Sequence, residues 1–297
     1  MLFRQLEYFV AVAQERHFAR AAAACYVSQP ALSEAIRKLE HELGVPLIRR
    51  AQSFQGLTPE GEQLVRWARR LLADRASMRT EAATLREGLS GELRLGVVPG
   101  AVTTVAALAD RFCADRPAVR VSLTTGLQSA DVLDRIRRFE LDAGLVYPRG
   151  LDTAGLVVTP LYTEELVLIG ARGMVDGEGP PPWDTLADLP LCLLRPGMRG
   201  RELIDEAAAE HGVRLDPRIE ADSIASLIAL VGTGNWAAIV PSTWLPAVVS
   251  AETGSARVES TVLGAARTHV ALVRADVEPA PVLTAAFERE ALSHGDG

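Results

Sequence analysis

Residues 25–44 read CYVSQPALSEAIRKLEHELG, and the fold of the chain turns on them. Ala31, Leu32, Ala35, Ile36, Leu39 and Leu43 recur at helical spacing and share a face, which anchors a helix. Ser28 is a cap, Pro30 falls in the first turn where its missing N–H goes unused, and Gly44 is the residue past the end. Opposite the apolar stripe stand Gln29, Ser33, Glu34, Arg37 and Lys38. That face is either ordinary solvated surface or a surface that reads something.

Upstream, Leu2, Leu6, Phe9, Val10 and Val12-Ala13 follow the same period, and Phe18 through Ala24 give a short alanine-rich helix suited to close packing. Two short helices, a turn at Tyr26-Val27 and a polar-faced third helix describe a helix-turn-helix. Downstream, VPLIRRAQSFQGL (45–57) fits a small hairpin, or wing. Thr58-Pro59-Glu60-Gly61-Glu62 opens a helix with a cap, a first-turn proline and two acids at the positive end of the dipole. No breaker follows before Gly88. Leu64, Leu71, Met78 and Leu85 repeat every seven residues with Ala68 and Ala82 between, a seam for pairing with another helix that Arg75 interrupts.

From residue 91 strands and helices alternate. GELRLGVVPG, VRVSLTTG, DAGLVY, EELVLIGA, LPLCLLRPG, AAIVP and HVALVRA read as strands, and TTVAALADRFCADRP and SADVLDRIRRFE as helices. The pattern predicts βαβ units, hence parallel sheets covered on both faces. GEGPPPWD (177–184) reads as a surface loop.

Net charge is −7, unevenly spread: residues 1–88 hold 13 Lys and Arg against 10 Asp and Glu, a net of +3, and the remainder −10. A mildly basic front and an acidic rear predict different partners for the two ends. No apolar run of membrane-spanning length and no secretory signal stands in the sequence, so a cytoplasmic location and no membrane partner are expected. Cys25, Cys113 and Cys192 make neither a zinc spacing nor an evident disulfide framework; they read as buried thiols, the alternative being a redox-sensing thiol. Nucleophile elbow, phosphate loop and metal-ligand set are all lacking, so an enzyme is not expected.

LEYFVAVAQERHFARAAAACYVSQPALSEAIRKLEHELGVPL and LTPEGEQLV match, nearly position by position, the N-terminal signature and linker start of the LysR-type transcriptional regulators. GELRLGVVPG, FCADRPAVRVSL and LDAGLVY are similar to recurring segments of that family's effector domain. The resemblance implies an α plus α/β chain in three parts: a winged helix-turn-helix (1–57), a linker and dimerisation helix (58–90), and a two-lobed α/β effector domain (91–297) like the periplasmic solute-binding proteins. Lobe one would be 91–162 plus 268–297 and lobe two 163–267, with crossings near Leu161-Tyr162-Thr163 and Ala265-Ala266-Arg267. It implies promoter DNA, a small-molecule effector between the lobes, a homo-oligomer paired through Leu64, Ala68, Leu71, Met78 and Leu85 (a tetramer in most members), possible contact with RNA polymerase, and no cofactor or metal.

The same resemblance puts Gln29, Pro30, Ser33 and Glu34 at base-contacting positions. Chemistry agrees: Gln29 can bond adenine bidentately, Ser33 either kind of base edge, and Pro30 and Ala31 a thymine methyl. Arg37, Lys38, Arg49 and Arg50 fit phosphate contacts. Glu34 departs from the usual basic or amide residue; it either accepts from cytosine N4 or pairs with Arg37 or Lys38. Gln52-Ser53-Phe54-Gln55 make the wing less basic than usual, which predicts a shallow contribution of the wing to salt dependence.

For the effector, the resemblance points to Gly100, Ala101 and Thr103 after the first strand, Leu127, Gln128 and Ser129 after the next, and Arg195, Met198, Arg199 and Ser223 from lobe two. Many family effectors are small carboxylates, so Arg195, Arg199 and Arg201 are candidate ligands. Gly100 and Leu127 stand where relatives often carry a hydroxyl, and Trp236 where glycine is usual; Trp236 either walls the cleft or packs beneath the sheet. The alternative signal is oxidation of a thiol such as Cys192, although peroxide-sensing members use two neighbouring cysteines and Cys192 stands alone in its lobe.

Overall fold

The computed structural model describes residues 1–50, 54–171, 173–175, 181–250 and 258–293, and their side chains except at 50, 249, 250 and 264–266. Apart from Arg138–Glu140, residues 1–89 form one compact unit and those from Ser90 on another.

In the first unit, α1 (Phe3–Glu15), α2 (Phe18–Ala24) and α3 (Gln29–Leu43) precede the antiparallel pair β1 (Ile48–Arg50) and β2 (Phe54–Leu57), and α4 (Pro59–Glu87) follows. α2, α3 and α4 each start where a side chain satisfies an exposed amide. His17 Nδ1 accepts from Ala19 N at 3.2 Å, Ser28 Oγ from Ala31 N at 3.4 Å, and Thr58 Oγ1 from Gly61 N at 2.9 Å. Gly44 closes α3 at φ 71°, a left-handed conformation that glycine adopts without strain. Leu6, Phe9, Val12, Leu32, Ile36, Leu39, Leu47 and Val65 make the core. Burying Leu32, Ile36 and Leu39 stabilises by about 1.5–3 kcal/mol each. The buried stripe is narrower than the spacing predicts: Ala31 and Leu43 are exposed, because the core spans only the middle turns of α3.

α4 has two halves. Val65 and Ala68 are buried in the core and Leu64 packs against it, whereas Leu71, Met78 and Leu85 are 37%, 69% and 81% exposed. Arg75, the interruption in the seam, pairs with Glu7 at 2.8 Å and stacks 4.8 Å over Phe3, fastening the helix to α1.

The second unit runs β3 (Gly91–Val97), α5 (Val102–Ala114), β4 (Val119–Thr124), α6 (Ser129–Arg137), β5 (Ala143–Val146), β6 (Leu156–Ala171), α7 (Trp183–Leu186), β7 (Cys192–Leu194), α8 (Arg199–Glu210), β8 (Ile219–Ala221), α9 (Ile224–Val231), β9 (Ala237–Pro241), α10 (Leu245–Ser250), β10 (Val258–Ala275) and α11 (Val282–Leu292). One sheet has the order β4-β3-β5-β10-β6-β9, and β7 pairs with β8 beside it. β3 is parallel to β4 and β5, as the βαβ pattern predicts. The sheet is nonetheless mixed: β10 runs antiparallel to β5 and β6, and β6 antiparallel to β9. β6 and β10 are long because each serves both ends of the sheet, far beyond the EELVLIGA and HVALVRA segments that mark them in sequence.

Both expected crossing points lie within these two strands, although the side chains at 265 and 266 fall outside the described residues. Of the expected loop at 177–184, residues 177–180 also lie outside them, while Trp183 and Asp184 begin α7 and Trp183 is buried. Phe112 and Phe287 meet edge-on at 5.2 Å between α5 and α11. No helix among the described residues is long and apolar enough to cross a membrane.

Candidate DNA interface and effector cleft

The front of α3 is the chemically distinct surface of the first unit. Its buried side faces the core, leaving Gln29, Pro30, Ala31, Glu34, Arg37 and Lys38 exposed and Ser33 half-buried. The Ser28 cap holds the first turn, so Gln29 and Pro30 stand at the tip of the helix. Glu34 lies 3.8 Å from Arg37, with both side chains more than half exposed. An exposed pair at that distance stabilises by under about 1 kcal/mol, too little to keep Glu34 away from a base. Arg49 is exposed on β1; the side chain of Arg50, and Gln52 and Ser53 of the wing, lie outside the described residues. Phe54 packs edge-on against Phe18 at 6.5 Å, so this wing residue supports the fold.

In the second unit a cleft of about 600 Å³ opens between the loops after β3, β4 and β7. Of the residues singled out in sequence, Gly100, Leu127, Gln128, Ser129, Arg195, Met198, Arg199 and Ser223 line it. Ala101 and Thr103 do not: Ala101 is wholly buried, and Thr103 Oγ1 is shut away from solvent without a partner. Arg201 is no ligand either, because it is buried against Asp205 at 2.9 Å, Glu220 at 3.0 Å and the Leu194 carbonyl at 2.9 Å. Ser129 Oγ accepts from Tyr147 N, and Gln128 Nε2 donates to Gly197 O at 3.1 Å. Trp236 packs with the core around Ile228 and Val240 and under Arg218, away from the cleft lining.

Among the lining residues that the sequence reading missed are Tyr147 and Glu164. Strand alternation is the signal that could have found Glu164: of the adjacent acids that open EELVLIGA, one must face inward. Glu164 is 2% exposed; its Oε2 accepts from the Tyr147 hydroxyl at 2.5 Å, and its Oε1 has no partner. Burial drives this carboxyl up to about 7 despite the Tyr147 bond, which pulls it down. Burial and then Glu164 push the Tyr147 phenol well above its ordinary range. Arg199 pairs with Glu206 at 2.7 Å and Glu202 at 3.3 Å; burial works against its charge, but these acids raise it further. Arg199 Nε has no partner and no solvent.

Gly100 explains how the buried pair fits. A Cβ there would stand 2.0 Å from the Tyr147 hydroxyl and 3.2 Å from Glu164 Oε2, while Trp244 Nε1 bonds the Gly100 carbonyl at 3.0 Å and holds the backbone in place. Gly100→Ala should therefore destabilise the second unit by about 1–3 kcal/mol in denaturant unfolding followed by tryptophan fluorescence. Tyr147→Phe in the same chain removes the clashing oxygen and should recover part of the loss. A Gly100→Ala chain as stable as the parent would refute the steric account.

A family model described as the LysR substrate binding domain matches residues 86–292, and one described as a bacterial regulatory helix-turn-helix protein of the lysR family matches residues 3–62. A probable hydrogen peroxide-inducible genes activator of Mycobacterium avium is 32% identical over 252 residues, covering 82% of this chain and 79% of its own. The HTH-type transcriptional regulator EstR of Acinetobacter baylyi is 31% identical over 239 residues, 80% and 79% of the two chains. Full-length OxyR from Pseudomonas aeruginosa superposes with a TM-score of 0.74 over 98% of both chains; at 24% identity the likeness concerns the fold alone.

Proposed function

Because this chain belongs to the lysR family of DNA-binding transcription regulators with a substrate-binding domain, we propose that α3 reads promoter DNA through Gln29, Pro30, Ala31, Ser33 and Glu34, and that a small carboxylate in the cleft controls the outcome. The observation that carries the DNA half is the tip of α3, where base-reading side chains stand exposed on a helix fixed from behind by Leu32, Ile36 and Leu39. Arg37, Lys38, Arg49 and Arg50 take phosphates. For the cleft, Arg195 supplies positive charge beside the first turn of α8, and Arg199 adds a donor although Glu202 and Glu206 share its charge. We take residues 91–162 with 268–297 and residues 163–267 as the two lobes, 58–90 as the pairing helix and the homo-oligomer as the working form. We take the protein to act by binding alone, without catalysis, in the cytoplasm, with RNA polymerase as a further partner at an activated promoter.

The test is enrichment of binding sites from a random duplex library, followed by anisotropy on the selected site. Gln29→Ala should weaken that site by about 1–3 kcal/mol and relax preference at one base position, leaving random DNA bound as before. Uniform weakening on all sequences would make Gln29 a phosphate contact and overturn its role.

The name of the Mycobacterium avium relative raises hydrogen peroxide as a signal. Here the chemistry runs the other way. Cys192 is wholly buried in β7, and burial pushes its thiol up to about 11, so the reactive thiolate is scarce at neutral pH. Cys25 is half-buried and raised, by burial and then by Glu7. Cys192→Ser should change operator affinity by less than about twofold with or without peroxide. A peroxide response that disappears with this substitution would restore the redox reading.

A further inference from the structure

Two side chains in the cleft have hydrogen-bonding capacity that nothing in the protein meets. On β6, Glu164 Oε1 is an acceptor sealed from solvent and without a partner, although its twin oxygen is held by Tyr147. On α8, Arg199 Nε is a donor in the same condition, although its terminal nitrogens are held by Glu202 and Glu206. Both residues line the same cavity. An unmet buried polar group is costly, more so when charged, so two of opposite kind around one space describe what that space is built to receive. Arg195 also lines it and forms no ion pair among the described residues, and no side chain caps the first turn of α8.

We infer that the cleft takes an amphoteric small molecule, an α-amino acid or a close relative, which draws the two side chains toward it as it enters, its ammonium group then donating to Glu164 Oε1 and its carboxylate accepting from Arg199 Nε and Arg195. The inference rests on the proposed effector role of the cleft and adds a second charge to the ligand. A plain carboxylate would satisfy the arginine end and leave Glu164 unmet, whereas a plain amine would do the reverse. Gly100 acts as a positioning residue, leaving room for Tyr147 to hold the far oxygen of Glu164.

The groups around Glu164 determine how binding follows pH. Tyr147 bonds it, Tyr162 lies near it on the same strand and bonds Thr104, and Arg199 acts on Tyr147 from α8. β10 places Thr268 opposite Glu164; Arg267 and His269 stand opposite Glu165 and Thr163 and so belong to the other face. β9 places Pro241 opposite Leu166. Both phenols stay neutral, because burial raises each. Glu164 is thus the group that changes charge near neutrality, at about 7. An ammonium ligand requires it ionised, so affinity should rise about tenfold from about pH 6 to about pH 8; a ligand that accepts from the protonated acid would weaken over the same interval.

Calorimetry on the full chain tests this with three matched sets of probes: the proteinogenic L-amino acids, their des-amino carboxylic acids, and the primary amines left by decarboxylation. At least one amino acid should bind, at least tenfold more tightly than either truncated partner and more tightly at the higher pH. Glu164→Gln, which keeps an acceptor for Tyr147, should lose at least tenfold in affinity and lose the pH dependence while still melting cooperatively. A des-amino acid binding parent and Glu164→Gln alike would overturn the inference and leave the carboxylate-sensing regulator standing. Absence of binding by every amino acid, or an amine binding as tightly as its amino acid, would also overturn it. Failure of the regulator reading would appear elsewhere, as failure of the chain to enrich any DNA sequence.

Discussion

Leu71→Glu, Met78→Glu and Leu85→Glu introduced together should remove the pairing through α4, at least halving the mass of the assembly, and lower its affinity for a two-half-site operator by roughly 10²–10⁴-fold, with little change in the melting of the first unit. The three side chains lie on one seam of α4 and are largely exposed, so they contribute little to the fold around them. Val65 and Ala68, earlier in the helix, are buried in that core and are deliberately left alone. Glutamates placed on both sides of a paired seam repel one another and keep it wet. The affinity loss follows from losing the effective concentration that one bound half gives the other. Light scattering reports the mass and anisotropy the affinity; a triple variant that keeps the parent's mass would move the interface to another surface.

Glu164→Gln should change how the stability of the second unit depends on pH by about 3 kcal/mol between about pH 4.5 and about pH 7.5. The folded carboxyl sits at about 7, above its ordinary 4.5, because burial disfavours its charge. A raised carboxyl favours the folded state where it is protonated. Its contribution is therefore fully present below about 4.5 and is lost as pH rises through about 7. Relative to the glutamine variant, which does not titrate, the parent should be most stable at acid pH and lose ground toward neutrality. Denaturant midpoints across the range give the difference directly. Parallel curves would place Glu164 in water rather than in the buried position described.

The helix-turn-helix end was readable because its signals are local. Ser28, Pro30 and Gly44 mark both ends of α3 within twenty residues, and the register of Leu32, Ile36 and Leu39 leaves only one face for Gln29. The cleft was readable only in part. Gly100, Gln128, Arg195 and Arg199 follow strands and could be placed from the βα pattern. Tyr147 and Glu164 could not, since the pairing depends on β5, β6 and the loop after β3 converging from positions as far apart as Gly100 and Glu164. The mixed sheet was missed for a related reason: a β6 of sixteen residues that includes Pro160 and two acids does not look like one strand locally. Arg201 misled because its charge suggested a ligand, while Asp205, four residues on, and Glu220 already held it.

The fit among Gly100, Tyr147 and Glu164 also constrains the order in which mutations can accumulate. A side chain gained at 100 collides with the Tyr147 oxygen, so Gly100→Ala or Gly100→Ser is harmful while that tyrosine remains. Once Tyr147→Phe has occurred, the same step becomes tolerable, and Glu164, stripped of its bond, becomes the residue under pressure to change. The three positions should therefore turn over as a set, with epistasis of matching sign in a mutational scan, and a lineage that retains the tyrosine and the acid should retain glycine at 100 with them.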